Sequence, residues 1–326
     1  MNYLLLLLLF PLTVLAQDAA VPLVMYAEGQ IRYEAAGGAS DVDEVHAGHY
    51  LTGGGALVLS PSARLELLAN EQFVRLTEAG RYSIPQLFGT PPAKRGFLSR
   101  FYQFVRQGWE DGASTEDLER AYQANQGNAQ GNISGLGDAG LTGLLPFGGW
   151  VGPDSIRFSW PAEGSATAYR LRIVDSLSEA VVLEATTADS SLRLQLGDLQ
   201  LTDGNAYYWE VFPNLPARSG PTRLGAAAPT VAGTRIYFGY RHIPAETVLR
   251  SVGQADTIRQ TQRGTQRYLM TAMILEEANY LYRADETYRT ALRQLPGDPL
   301  LTRTYAAFLS RWNQRPAARA LLQSLH

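Results

Sequence analysis

Residues 241–326 repeat with a period of 34, and this repeat constrains the fold more than any other feature of the sequence. Ala306 follows Ala272 at that spacing, and Leu309 follows Leu275. The remaining pairs are Ala284 with Ala318, Tyr288 with Leu322, and Ala291 with Leu325. A fixed period of this length indicates one helical hairpin per repeat, stacked on its neighbours because a single hairpin cannot bury its own apolar face. The sequence therefore predicts helical repeats over residues 241–326.

The residues of the first copy resemble the tetratricopeptide repeat. They read Tyr268-x3-Ala272-x2-Leu275-x8-Ala284-x3-Tyr288-x2-Ala291-x4-Pro296. The resemblance implies two antiparallel helices per copy, with small residues where they cross and a proline after the second. Thr271 departs from the pattern, since a large apolar residue is usual there. Two visible copies are fewer than the three or so that a stack needs, so we expect support from a helix within 244–262, from the preceding domain or from a partner.

The tetratricopeptide resemblance implies a peptide-binding groove on the concave side of the first helices. The candidate partner-binding residues are Met273, Glu276, Arg303 and Arg311. Arginine forks suit the carboxylates of a partner, and methionine makes adaptable apolar contacts. The alternative interpretation is that these positions are ordinary solvated or helix-packed residues.

Residues 153–240 are predicted to form short strands that resemble a fibronectin type III domain. The motifs are Trp160, then Tyr169-x-Leu171-x-Ile173, and finally Leu201-x-Asp-Gly204-x-x-Tyr207-x-Trp209. The resemblance implies a β-sandwich with Trp160 in its core and a tyrosine corner, in which the Tyr207 hydroxyl returns to the preceding loop. Asp203 stands where proline is common. Such modules are spacers or adhesive domains.

Residues 17–90 contain short apolar–polar alternating runs separated by Gly and Pro turns, which predicts a small antiparallel β-domain. Four runs are similar to the FecR-like periplasmic domain: Glu28–Ile31, His46–Gly53, Ala56–Leu59 and Arg64–Leu67. Pro61-Ser62-Ala63 replaces the usual Asp-Gly turn. The resemblance leaves open an accessory role in an envelope sensing system.

Residues 91–125 are predicted to be helical, because apolar residues from Phe97 to Trp109 recur at three- and four-residue spacing. Ser114-Thr-Glu-Asp117 is typical of a second helix start. We expect the aromatic stripe to dock on a neighbouring domain, and a membrane surface is the alternative.

Residues 126–152 are predicted to be a linker, since 126–149 hold eight glycines. The spacing Gly135-x-Gly137-x-x-Gly140 lacks the strand and helix of a dinucleotide site.

Residues 1–16 are predicted to be a secretory signal peptide. The apolar run from Leu4 to Ala16 suits export and is too short to span a bilayer, so we expect a mature chain that begins at Gln17 and does not cross the membrane. A retained anchor is the alternative, because no Lys or Arg precedes the run. Export of a chain without cysteine indicates a bacterial periplasm or cell surface.

Composition leaves little catalytic chemistry. The net charge of −3 does not favour nucleic acid, and the absence of cysteine excludes thiol catalysis, disulfides and Cys-zinc sites. His46 and His49 lie near Asp41, Asp43 and Glu44, and we interpret this cluster as a polar loop rather than a metal site.

The sequence therefore predicts a multidomain β plus α protein: a small β-domain with two helices, a Gly-rich linker, a fibronectin-like sandwich and C-terminal helical hairpins. We expect a non-enzymatic envelope scaffold that binds another envelope protein or peptide, without cofactor or metal. An accessory role in FecR-like signalling is the alternative. Carbohydrate binding is a second alternative, disfavoured because Trp160, Tyr169 and Trp209 fall at core positions.

Overall fold

The structure is a computed structural model that combines antiparallel sheets with helices. It describes residues 21–36, 43–51, 54–69, 72–88, 96–131, 133–134, 144–164, 166–214, 234–251 and 264–325. The predicted signal peptide, 1–16, lies outside the described residues. The chain divides into two compact units, Met1–Arg95 and Gly96–His326. No helix in the described ranges is long and apolar enough to cross a membrane.

The first unit consists of short antiparallel strands in two sheets, ordered β1-β5-β6 and β3-β2-β4-β7. The elements are β1 (Leu23–Glu28), β2 (Ile31–Glu34), β3 (Asp43–Glu44), β4 (Ala56–Leu59), β5 (Arg64–Ala69), β6 (Gln72–Leu76), β7 (Gly80–Ser83) and one helical turn, α1 (Ile84–Leu87).

Alternation along the strands places one face of each sheet in the core of this unit. In β5, Leu65 and Leu67 are fully buried, whereas Glu66 between them pairs with Arg75 of β6 at 2.6 Å. Residues of the other sheet, including Ile31 and Leu57, join the same cluster. Period-two burial of this kind is the signal by which the sequence predicts strands.

The second unit begins with two helices and continues into a β-sandwich. Its first elements are α2 (Phe97–Asp111), α3 (Thr115–Gly131), β8 (Ile133–Ser134), β9 (Trp150–Val151), β10 (Ser155–Ser159), β11 (Ala168–Asp175), β12 (Val181–Thr187), β13 (Ser191–Gln195), β14 (Ala206–Asn214) and β15 (Arg235–Tyr240). One sheet pairs β10 with β13, and the other has the order β12-β11-β14-β15-β8. Strand β9 adds to β15 in the parallel direction.

The sandwich core is aromatic, and it contains the residues that the sequence places there. Trp160, Tyr169, Tyr207 and Trp209 are all buried. The rings of Trp160 and Trp209 lie 6.4 Å apart, and Trp209 donates its indole N–H to the carbonyl of Pro146 at 2.9 Å. Tyr207 accepts a hydrogen bond from the backbone N–H of Thr202 at 2.8 Å.

The last part of the unit is helical and follows the 34-residue period. Its helices are α4 (Ala245–Ser251), α5 (Thr265–Glu277), α6 (Leu281–Gln294), α7 (Pro299–Arg311) and α8 (Arg315–Gln323). Asn279 and Asn313, one period apart, both adopt the left-handed conformation in the turn of their hairpin, with φ of 61° and 60°. Within the predicted helical range 244–262, the structure describes α4, and residues 252–262 lie outside the described part.

The helices before the sandwich extend further than the sequence predicts. Ser114 caps α3, accepting the backbone N–H of Asp117 at 3.1 Å, which confirms the predicted start. Helix α3 then continues to Gly131, so the first part of the predicted linker 126–152 is helical. The glycine-based prediction is wrong for this part of the stretch, because an exposed glycine costs a helix only about 1 kcal/mol.

The sandwich and the helical hairpins share contacts inside the second unit. The Tyr282 side chain of α6 belongs to the sandwich core, and its hydroxyl accepts the backbone N–H of Arg157 at 3.0 Å. Arg283 pairs with Asp154 at 3.1 Å. The backbone N–H of Trp150 donates to the carbonyl of Asn279 at 2.7 Å. A buried side chain, an ion pair and a backbone hydrogen bond therefore connect the sandwich to the helical hairpins.

Candidate functional site

The four predicted partner-binding residues come from two C-terminal helices, α5 and α7, and we call the surface of these helices that meets α2 and α3 the α5–α7 face. Met273 and Glu276 come from α5, and Arg303 and Arg311 from α7. The structure brings Glu276 and Arg311 together at 2.8 Å. Met273 is fully buried, and Arg311 keeps only 17% of its side chain exposed. Their role in binding a partner stays a prediction, but the face is not open to solvent.

The chain's own α2–α3 hairpin covers the α5–α7 face. Phe101 and Val105 of α2 and Leu118 and Tyr122 of α3 are all buried. This confirms that the aromatic stripe of the sequence packs against another part of the protein, here chiefly α7. Helices that precede the sandwich in the sequence, α2 and α3, thus pack against a helix that follows it, α7.

Two glycines, Gly108 within α2 and Gly112 directly after its last residue, allow α2 and α7 to approach each other closely. A Cβ added at Gly108 would lie 2.6 Å from Cγ2 of Thr304 on α7, far inside van der Waals contact. A Cβ at Gly112 would overlap the backbone carbonyl of Arg303. Because 108 and 112 are four residues apart, they face α7 from the same side of the hairpin.

Hydrogen bonds and ion pairs join the hairpin to the C-terminal end of α7 and to α8. Ser310 donates its hydroxyl to the carbonyl of Leu118 at 2.5 Å, and Asn125 donates its amide to the carbonyl of Arg311 at 2.8 Å. Asp111 pairs with Arg311 at 3.6 Å. In α8, Arg315 pairs with Glu119 of α3 at 3.1 Å. The acidic groups thus come from the hairpin and the arginines from the C-terminal helices.

Arg303 meets the hairpin through an aromatic ring rather than a carboxylate. Its guanidinium lies 4.0 Å from the ring centroid of Trp109. Its Nε atom is buried and has no hydrogen-bond partner among the described residues. Burial lowers the pKa of this guanidinium from its usual value. A cation over an indole is attracted by the ring quadrupole, so the contact partly offsets this lost hydration.

Glu276 is the centre of a buried polar group. One carboxylate oxygen accepts Arg311, and the other accepts the hydroxyl of Tyr288 at 2.8 Å. Burial raises the pKa of Glu276, while Arg311 opposes that shift. Burial lowers the pKa of Arg311, but the neighbouring Glu276 and Tyr288 more than reverse this, so the net pKa is raised. The pair is a structural link between α5 and α7.

Sequence reasoning missed a second buried carboxylate, Asp285 of α6. It is fully buried and accepts Tyr305 at 2.7 Å and Arg289 at 2.6 Å. Burial raises the pKa of Asp285, while Arg289 opposes the shift. The rings of Tyr288 and Tyr305 stack beside it, with centroids 4.9 Å apart. An acid followed four residues later by arginine is a recognisable helical pair, but its burial depends on the partner helix.

The histidine cluster of the first unit has no metal-site geometry among its described members. The backbone N–H of His46 donates to Nδ1 of His49 at 3.4 Å, and the two rings meet edge-on. Asp41 lies outside the described residues. In the part of the chain that the structure describes, no three His, Asp or Glu side chains are grouped to hold an ion.

The α5–α7 face packs against an amphipathic helical hairpin of the same chain through close approach at two glycines, opposite charges and one stacked ring. Comparisons with known proteins add no family to this description. No protein-family model matches the sequence, and no curated protein matches it.

Proposed function

We propose that the protein is a non-enzymatic, exported cell-envelope scaffold that binds another envelope protein or peptide. The α5–α7 face is the proposed binding surface, with Met273, Glu276, Arg303 and Arg311 as its residues. The observation that carries the proposal is that this face engages a helical segment. Arg303 stacks on Trp109 and Arg311 pairs with Asp111, both from the α2–α3 hairpin.

The helical hairpins are proposed to be tetratricopeptide-like. Helices α5 and α7 begin one period apart, at Thr265 and Pro299, and so do α6 and α8, at Leu281 and Arg315. The α2–α3 hairpin packs chiefly against α7, and α3 also contacts α8, which is consistent with the support that two copies need. Repeats of this type present extended surfaces to other proteins.

The sandwich is proposed to be fibronectin type III-like. The hydrogen bond from the Thr202 N–H to the Tyr207 hydroxyl supports the tyrosine corner, because the hydroxyl returns to backbone a few residues upstream. Burial of Trp160, Tyr169 and Trp209 in the core leaves these rings unavailable for stacking on a sugar. This favours a spacer role over carbohydrate binding.

Capture from bacterial envelope extracts tests the proposed function. The immobilised chain starting at Gln17 should retain one reproducible protein, and Arg303→Ala should reduce that retention several-fold. The matched control is Arg267→Ala, which removes the same charge from an exposed position of α5. Retention on glycan resins without any protein partner would instead favour the carbohydrate-binding alternative. If Arg303→Ala and Arg267→Ala reduce retention of the partner equally, the α5–α7 face is not the binding surface.

A further inference from the structure

We infer that the α2–α3 hairpin is the resident ligand of the α5–α7 face, so that a partner gains this face only in place of the hairpin. The inference rests on the proposed function and adds a regulation to it, since the contact is autoinhibitory. It also describes the partner, because a competitor must match the shape and the charges with which the hairpin contacts the α5–α7 face.

Shape complementarity is the first part of the argument. At Gly108 and Gly112 the hairpin has no side chain, and a methyl group at either position would collide with Thr304 or with the Arg303 carbonyl. Gly112 has φ −93° and ψ 12°, which other residues also adopt, so backbone conformation alone does not require glycine there. The requirement comes from the close approach of α7.

Charge complementarity is the second part. Asp111 and Glu119 of the hairpin face three arginines of the last two helices: Arg311 at 3.6 Å, Arg315 at 3.1 Å and Arg319 at 3.6 Å. At the other end, Arg100 of α2 pairs with Glu277 of α5 at 3.2 Å. These pairs join charges of opposite sign across the contact, which fixes the register of the hairpin on the face.

The partner that fits this face is an amphipathic helix with three features in the order of the hairpin. It carries small residues where α7 approaches, an aromatic ring next to the first of them for Arg303, and a carboxylate two residues after the ring for Arg311. In the hairpin these are Gly108, Trp109 and Asp111. Helix-in-groove recognition of this kind depends on a few anchors at helical spacing.

The test uses the full chain and, as probe, a fluorescent synthetic peptide of residues 96–131. The wild-type chain should bind the peptide weakly, because its own hairpin occupies the face at a high effective concentration. Gly112→Ala in the full chain should loosen that hairpin and raise affinity for the wild-type peptide at least tenfold. A peptide carrying Trp109→Ala and Asp111→Ala should lose that gain.

Gly127→Ala is the matched control. Gly127 lies on α3, and an added Cβ would meet no atom within 4 Å, so this chain should bind the peptide as the wild type does. A second variant, Asp111→Arg with Glu119→Arg, loosens the hairpin by charge reversal instead of collision. This variant should also bind the peptide more tightly than the wild type does. If Gly112→Ala fails to fold, its affinity for the peptide tests the inference instead.

Two results would overturn the inference. The first is that the Gly112→Ala chain and the charge-reversed chain both fold but bind the peptide no better than the wild type does. The other is an equal gain for Gly127→Ala, which would show that the methyl acts without the α7 contact. The assay contains only this chain and its own segment, so it stands apart from envelope capture, and either proposal can fail alone.

Discussion

The Arg303 guanidinium stacks on the Trp109 ring at 4.0 Å, and so joins a helix before the sandwich to a helix after it. The ring covers a cation whose Nε atom has no hydrogen-bond partner among the described residues. Removing the ring would therefore leave a partly buried charge without its main contact.

Trp109→Ala is expected to lower the free energy of unfolding by about 1–3 kcal/mol, from the lost cation–π contact and the lost apolar burial. The measurement is urea unfolding followed by circular dichroism. Phe97→Ala is the control on the same helix, because its ring lies farther from a guanidinium, 5.9 Å from that of Arg100, and its loss should cost less. Equal losses would contradict the assigned role of the Trp109 ring.

Tyr207→Phe should lower the free energy of unfolding by about 1–2 kcal/mol, because it leaves the Thr202 N–H without its acceptor. Trp160→Ala should cost more, roughly 3–5 kcal/mol, by opening a cavity in the sandwich core. Tyr268→Phe is the control, since its hydroxyl bonds Gln294 at an exposed position where water can replace it. A Tyr207 effect no larger than the Tyr268 effect would argue against the tyrosine corner.

Arg311→Ala should destabilise the protein, in contrast to removal of an exposed arginine. It deprives Glu276 and Asp111 of their cation at positions with little solvent, and we expect a loss of roughly 2–4 kcal/mol. Arg106→Ala removes an exposed pair with Glu110 on α2 and should cost about 0.5 kcal/mol or less. Thermal and urea unfolding of both variants check the difference.

The loss caused by Arg311→Ala should shrink as the pH falls. Burial raises the pKa of Glu276 in the folded protein, and Arg311 holds that shift back, so the variant has the higher folded pKa. A raised carboxyl pKa means that the folded state favours the protonated form, and that stability falls as pH rises through this pKa. Urea unfolding at pH 7 and at pH 5 should therefore give a smaller difference between variant and wild type at pH 5. A difference independent of pH would exclude Glu276 as its source.

Export predicts a defined mature terminus. Because the apolar run ends at Ala16, intact mass of the protein from fractionated cells should correspond to a chain beginning at Gln17. Full-length chain in the cytoplasm would contradict this expectation.

Local pattern predicted much of the secondary structure, because strands and helical repeats leave periodic signals. The Leu65–Leu67 alternation and the Ala272–Ala306 period both correspond to regular elements in the structure. The docking of α2–α3 on α7 leaves no such signal, since it depends on which surfaces meet after folding. The aromatic stripe of α2 predicts that the helix packs against another part of the protein, but not which part, and the close approach of α7 at Gly108 and Gly112 emerges only from the structure.

The order of synthesis has a consequence for the α2–α3 hairpin. Ser310 and Arg315 bind residues of α3 that precede them by 192 and 196 positions, so the hairpin leaves the ribosome long before its docking surface exists. Until α7 and α8 are made, the surface on which α2 and α3 chiefly pack their apolar stripe, with Phe101, Val105 and Tyr122, is not yet present. A chain that stops before Pro299 would keep that apolar stripe exposed, and exposed stripes invite aggregation and proteolysis. The segment that contains α7 and α8, residues 299–326, is therefore expected to protect the nascent hairpin from aggregation and proteolysis.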